Sequence, residues 1–199
     1  MNDTIVYKNN LLIIISSPSG AGKTSVCKKI INYDNKIKLS VSHTTRAPRD
    51  NEINGIDYFF ISSDRFNSKI SDKSFLEFAN VFGNYYGTSK KNVEEKLLED
   101  FDVLFDIDWQ GAAQILNSNL AKIVTIFLVA PSKEAVLARL KKRSKETGDD
   151  YDSIKKRMLE YENEMKHANE YGYVVINDNI EECTKKIIGI IENERKMDN

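Results

Sequence analysis

The residues Ser17-Pro18-Ser19-Gly20-Ala21-Gly22-Lys23-Thr24 match the pattern GxxxxGK[ST] at every place but the first, where Ser17 stands for glycine. These residue types belong to phosphate chemistry. Gly20 and Gly22 let backbone N–H groups turn toward an oxyanion, and a helix beginning at their end presents its positive terminus to the same anion. Lys23 would reach the β- and γ-phosphates of a nucleotide, and Thr24, followed by Ser25, would offer its hydroxyl to Mg²⁺. Such a loop identifies a donor and leaves the reaction open, because switches, motors and small-molecule kinases share it.

Three further clusters bear on the acceptor. In the segment from Ser42 to Glu52, Arg46 and Arg49 stand three apart around Pro48. Guanidinium forks in a stiffened turn suit a phosphate monoester, since each donates bidentate bonds and neither loses its charge. Tyr58, Glu77, Tyr86 and Thr88 follow with hydroxyls and one carboxylate. Asp106 and Asp108 come directly after the apolar run Val103 to Phe105, which sets both carboxylates on one side of a strand near its C-terminal end, the edge where parallel sheets bind ligands. The third cluster is basic: Arg139, Lys141, Lys142, Arg143, Lys145, Lys155, Lys156 and Arg157 outnumber Glu146, Asp149, Asp150 and Asp152.

The elements that must position these groups are also visible. Leu11 to Ile15 is a continuous apolar run, as a strand buried on both faces requires, and Val26, Cys27, Ile30 and Ile31 recur beyond the loop at helical spacing. Similar runs lie at Val103–Phe105, Ile123–Val129 and Tyr173–Ile176, separated by helical patterns such as Ala135–Arg143 and a last helix opened by a box of Asn179 and Glu182. Strands alternating with helices predict an α/β fold, a parallel sheet flanked by helices. Residues 41–90, rich in Ser, Thr, Asn, Tyr and Phe, break that alternation and read as an inserted mixed lobe.

Taken in order, SPSGAGKT, SHTTRAPR, SFLEFANVFGNYYGTS, DIDWQGA, the arginines of the basic stretch and VINDN resemble the guanylate kinase family over nearly the whole chain. The resemblance implies a P-loop fold of one domain, residues 1–199, with core 1–40, 91–138 and 158–199, a GMP-binding lobe 41–90 and a short lid 139–157. It implies ATP and GMP as partners, dGMP as a second acceptor, and Mg²⁺ held by Thr24 with Asp106 or Asp108 through water. By position, Arg46, Arg49, Tyr58 and Tyr86 look like the clamp on the GMP phosphate, with Glu52 beside them. Ser42, Glu77 and Thr88 look like readers of guanine, whose adjacent N1–H and N2–H suit one carboxylate. By the same resemblance Asp106 and Asp108 look like residues near the metal waters and the acceptor, and Asn177 like one near the donor adenine. Lys23, Arg46, Arg139, Arg143 and Arg157 are implied to be catalytic. Ser17, Asn51 and Ser144 depart from the family's usual small residues, and the 144–150 segment is about three residues longer than usual.

A net charge of −1, from 29 Lys+Arg and 30 Asp+Glu, argues against a nucleic-acid or membrane-surface binder driven by overall charge. Leu11–Ile15 is too short to cross a bilayer, and no basic leader precedes it, so the expected address is cytoplasmic, as a monomer or homodimer. Cys27 and Cys183 form no metal spacing and read, with His43, His167 and Trp109, as structural. Two competing readings remain. A non-catalytic guanylate-kinase-like interaction module would have a degraded phosphate loop, whereas Lys23 and Thr24 are present. A nucleotide switch or nucleic-acid NTPase would leave Arg46, Arg49 and Glu77 without work.

Overall fold

Five residues in a row, Leu11 to Ile15, are at most 2% exposed, and their side chains alternate between two cores. In the computed structural model, which describes residues 7–50, 52–147 and 151–197, they form the centre of strand β1 (Tyr7–Ser16). Helix α1 (Lys23–Tyr33) and strand β2 (Ile37–Leu39) follow. The inserted segment holds β3 (His43–Thr44), β4 (Phe59–Phe60), α2 (Ser63–Ser71), β5 (Phe75–Val81) and β6 (Asn84–Ser89). The chain then returns through α3 (Lys90–Leu98), β7 (Asp102–Asp106), α4 (Trp109–Ile115) and β8 (Ala121–Val129). It ends with α5 (Lys133–Thr147), α6 (Tyr151–Lys166), a 3₁₀ turn at His167–Glu170, β9 (Tyr173–Ile176) and α7 (Ile180–Lys196). Expectations that fall on Asn51, Asp149 and Asp150 lie outside the described residues.

The main sheet runs β2-β7-β1-β8-β9, every pairing parallel. Leu11, Ile13 and Ile15 pack with Val26, Cys27 and Ile30 of α1 and with Cys183, Ile187 and Ile191 of α7. Leu12 and Ile14 face the other way, onto Val93 and Leu97 of α3 and Ala112 and Ile115 of α4. The period of two along β1 is therefore what covers the sheet on both faces. Both cysteines are free and buried in the first of these cores.

The lobe is a second sheet, ordered β4-β3-β6-β5. Its β5–β6 hairpin closes through Phe82 and Gly83, whose φ values of 51° and 84° are both left-handed, the turn that matches strand twist in a two-residue hairpin. His43 stacks on Phe59 at 4.9 Å inside this sheet, and His167 stacks on Trp109 at 3.8 Å. Of residues 139–157, expected as a short lid, those described form the later turns of α5, to Thr147, and the first turns of α6, from Tyr151. Both boundaries drawn from the sequence, at 138/139 and 157/158, fall within helices. The two helices pack through Val136, Leu140, Ile154 and Tyr161.

At the far end of the sheet a buried carboxylate ties three elements together. Asp102 is 0% exposed; its Oδ1 accepts from the Leu11 N–H at 2.8 Å and its Oδ2 from Arg195 Nε at 2.7 Å, while Arg195 Nη1 donates to Asp34 at 2.7 Å. Replacing Arg195 by Met strands a buried charge. We expect a loss of roughly 3 kcal/mol, a fall of about 6–12 °C in Tm; an unchanged melting curve would contradict the role given to this pair.

Candidate active site

The loop between β1 and α1, Ser17–Gly22, lies at the C-terminal edge of the central strand. Gly20 and Gly22 adopt φ of 87° and 94°, a region closed to most side chains, and a Cβ on Gly22 would stand 2.5 Å from Asn177 Nδ2. Gly22 caps α1 without a side chain, and the first turn of the helix carries no acid, so its N–H groups face the cleft with no built-in anion. Behind the loop, Ala21 O accepts from Asn177 Nδ2 at 2.7 Å and from Arg139 Nη1 at 3.1 Å, and Arg139 Nη2 reaches Asn177 O at 2.8 Å. Arg139, expected among the arginines over the phosphoryl group, thus holds two main-chain carbonyls in this structure.

Lys23 forms an ion pair with Asp106 Oδ1, and Thr24 Oγ1 donates to Asp106 Oδ2 at 2.8 Å. Burial opposes the Lys23 charge; Asp106, with help from Asp108, more than offsets it and holds the ammonium above its ordinary pKa. The strand ends at Asp106. Asp108 stands beyond it as the N-cap of α4, its Oδ1 accepting from Gly111 N at 3.0 Å and its Oδ2 from Gln110 Nε2 at 2.9 Å. The two carboxylates expected on one strand therefore have different work, and only Asp106 touches Lys23 and Thr24.

Across the loop stands α6. Arg157 Nη1 donates to Ser19 Oγ at 2.9 Å, and Glu164 Oε2 accepts from the Ser19 N–H at 3.1 Å. Burial pushes the Glu164 carboxyl up to about 7. The Arg157 guanidinium also lies 4.9 Å from the ring of Phe82 at the hairpin tip, so lobe and α6 meet over the cleft. Arg143 lines the same cleft. Glu164 was not foreseen, although its spacing of seven from Arg157 sets both on one face of a helix.

In the lobe, Arg46 Nη2 donates to both oxygens of Glu52 at 2.8 and 2.9 Å, and Glu52 also accepts from the Arg49 N–H at 2.9 Å. Burial opposes both charges, and the pair offsets it, so Arg46 rises and Glu52 falls from their ordinary values. Glu52 is thus a brace for Arg46. Arg46 lies 5.5 Å from the ring of Tyr58, which meets Tyr86 edge-on at 5.9 Å. Burial pushes the Tyr58 hydroxyl well up. Nearby, Ser42 Oγ and Thr88 Oγ1 are 3.2 Å apart and buried, and Glu77 is 3% exposed with no hydrogen-bond partner for Oε1 among the described residues. Burial pushes the Glu77 carboxyl up to about 7 against the lowering pull of Thr88.

Most of these groups, though not the buried Thr88, line one cleft of about 1930 Å³, roughly twice the upper end for a single small ligand. Its cations and the N–H groups at the start of α1 suit two phosphorylated ligands meeting between Lys23 and Arg46. The oxygen set of Thr24 and Asp106 suits Mg²⁺, which takes one or two protein oxygens and completes its shell with phosphate and water. Among the described residues no cluster of three or more His, Cys, Asp or Glu could cage a metal ion, and no helix is long and apolar enough to cross a membrane.

A family model described as Guanylate kinase matches residues 9–194. The chain is 47% identical over 190 residues to a guanylate kinase of Rickettsia prowazekii, covering 95% of this chain and 94% of that protein. It is 43% identical over 197 residues to one of Sphingopyxis alaskensis, covering 98% and 88%. The crystal structure of guanylate kinase from Anaplasma phagocytophilum superposes with a TM-score of 0.76 at 32% identity, over 96% of this chain and 88% of that one.

Glu77 also sets a pH dependence. Its carboxyl is raised from an ordinary 4.5 to about 7, so its contribution to stability is full below the lower value and lost as pH rises through the higher. Glu77→Gln removes that loss. The ligand-free variant should exceed the parent by about 2 kcal/mol, ~4–8 °C in Tm, at pH 8.5 and converge with it near pH 5. Equal melting temperatures at both pH values would show that the buried carboxylate carries no such cost.

Proposed function

The chain belongs to the guanylate kinase family, and from that premise we propose that it transfers the γ-phosphoryl group of MgATP to GMP, yielding ADP and GDP. The observation that carries the reading is one cleft with Lys23 and the acid-free first turn of α1 at one end and Arg46, Arg49 and the buried Glu77, whose Oε1 has no partner among the described residues, at the other. Residues 41–90 serve as the acceptor lobe and 139–157 as the lid, over a core of 1–40, 91–138 and 158–199.

The triphosphate lies along Ser17–Thr24, its oxygens taking hydrogen bonds from the loop N–H groups and charge from Lys23. Asp106 releases the ammonium to the phosphates as they arrive. Thr24, with Asp106 through water, would hold Mg²⁺, which when bound would supply neutralising charge to the phosphate oxygens. Arg46 and Arg49, with the Tyr58 and Tyr86 hydroxyls, fix the GMP phosphate so that one of its oxygens faces the γ-phosphorus in line. That oxygen forms the new P–O bond as the bond to the bridging oxygen of ADP breaks, and no protein group bonds to the phosphoryl. Arg143 and Arg157 spread positive charge over it in transit, while Arg139 and Asn177 keep the loop in shape beside the adenine. Positioning and charge supply the rate. Glu77 accepts the guanine N1–H and N2–H, with Ser42 and Thr88 completing the base pocket; dGMP, which differs only in its sugar, is a second acceptor.

A coupled ADP-release assay with GMP, AMP, UMP and dTMP tests the reading. GMP should be preferred over AMP by ~10⁴-fold in kcat/KM, because adenine leaves the buried carboxylate unpaired. Comparable rates with AMP would overturn the base assignment. Lys23→Met should lower kcat by about 10²–10³-fold; near-parental turnover would show that the loop is not the donor site.

A further inference from the structure

Gly111, in α4, has no conformational need to be glycine. Its φ is not positive, unlike those of Gly20, Gly22, Gly55 and Gly83, and helix propensity alone favours alanine there. What its position forbids is a side chain: a Cβ would stand 2.4 Å from Glu77 Oε2 and 3.1 Å from Glu77 Cδ. Its own N–H is taken by the cap Asp108, which fixes the helix turn that Glu77 leans on. One turn on, the Gln114 amide donates to Phe78 O at 2.7 Å and accepts from Phe78 N at 3.1 Å, pairing with β5 beside Glu77 as another strand would.

We propose that Gly111 is a specificity-determining position for the acceptor base. Its missing side chain gives Glu77 Oε2 a seat against α4 and leaves Oε1 buried with no hydrogen-bond partner among the described residues, and Gln114 holds the strand that carries the carboxylate in register with that seat. A methyl group at 111 displaces the free end of a flexible side chain and not a backbone, so the cost falls on recognition of guanine and spares the fold. The inference rests on Glu77 as the reader of the base.

Steady-state kinetics on Gly111→Ala, Glu77→Gln, Glu77→Asp and the Gly111→Ala/Glu77→Asp double variant test it. Gly111→Ala should raise KM for GMP by ~10²-fold through misplacement of the carboxylate, with KM for ATP unchanged. In the Glu77→Asp protein, whose carboxylate is drawn back by one methylene, the same alanine should add a few-fold at most. An equal penalty in both backgrounds overturns the inference, because the effect then does not run through the carboxylate. If Glu77→Gln raises KM for GMP and Gly111→Ala does not, the inference fails and the base assignment stands; if Glu77→Gln leaves KM unchanged, the assignment itself fails. Should Gly111→Ala not fold, the Gly111→Ala/Glu77→Asp variant decides: a KM for GMP within a few-fold of that of Glu77→Asp alone supports the inference, and an unfolded protein overturns it by showing that packing of α4 demands glycine whatever residue 77 is.

Discussion

An ammonium group at the end of the central strand needs a counter-ion, and Asp106 provides it, taking Lys23 on one oxygen and Thr24 on the other. This arrangement depends on the parallel sheet. β7 runs beside β1 in register, with Ile15 opposite Asp106, so the last residue of one strand faces the loop that leaves the other. The loop is thereby held in shape without a ligand. On the proposed reading, an incoming phosphate takes over from Asp106 an ammonium that is already charged and at the loop, the kind of preorganisation from which electrostatic catalysis gains.

The same device recurs in the lobe. Arg46 is braced by Glu52, as Lys23 is by Asp106. In both pairs an acid keeps a partly buried cation charged and aimed, and a phosphate can take over the charge. Glu77 is the reverse case, an acid with no ion-pair partner among the described residues, whose burial raises its pKa and makes its charge costly. On the proposed reading stability is given up there for recognition, and a base carrying two adjacent donors would recover it.

Much of this was legible in the sequence, for physical reasons. Leu11–Ile15 and Val103–Phe105 read as strands because burial on both faces leaves no polar alternation to confuse with a helix, and Asn179 read as a cap and accepts from Glu181 and Glu182 N–H. Asp108 was misplaced because an Asp after a strand can either extend it or bond to backbone ahead, and the Gly111 N–H decided for the cap. The start of α5 read as a helix from Ala135–Arg143, whereas α6 did not, since the charges around Ile154 mask the narrow stripe that packs it on Val136 and Leu140. Glu164 carried no local motif; its contact with Ser19 spans 145 positions of sequence. The Arg46–Glu52 brace lay within one turn, yet spacing alone could not tell a brace from a ligand contact.

The central claim is that two nucleotides meet in one cleft and exchange a phosphoryl group directly. It is tested most directly by mixing γ-³²P-labelled ATP with GMP and Mg²⁺, quenching at times within one turnover, and resolving the label. The account predicts that label passes from ATP to GDP with no protein-bound species on the way. Label appearing as inorganic phosphate in place of GDP, or on the chain itself, would contradict it.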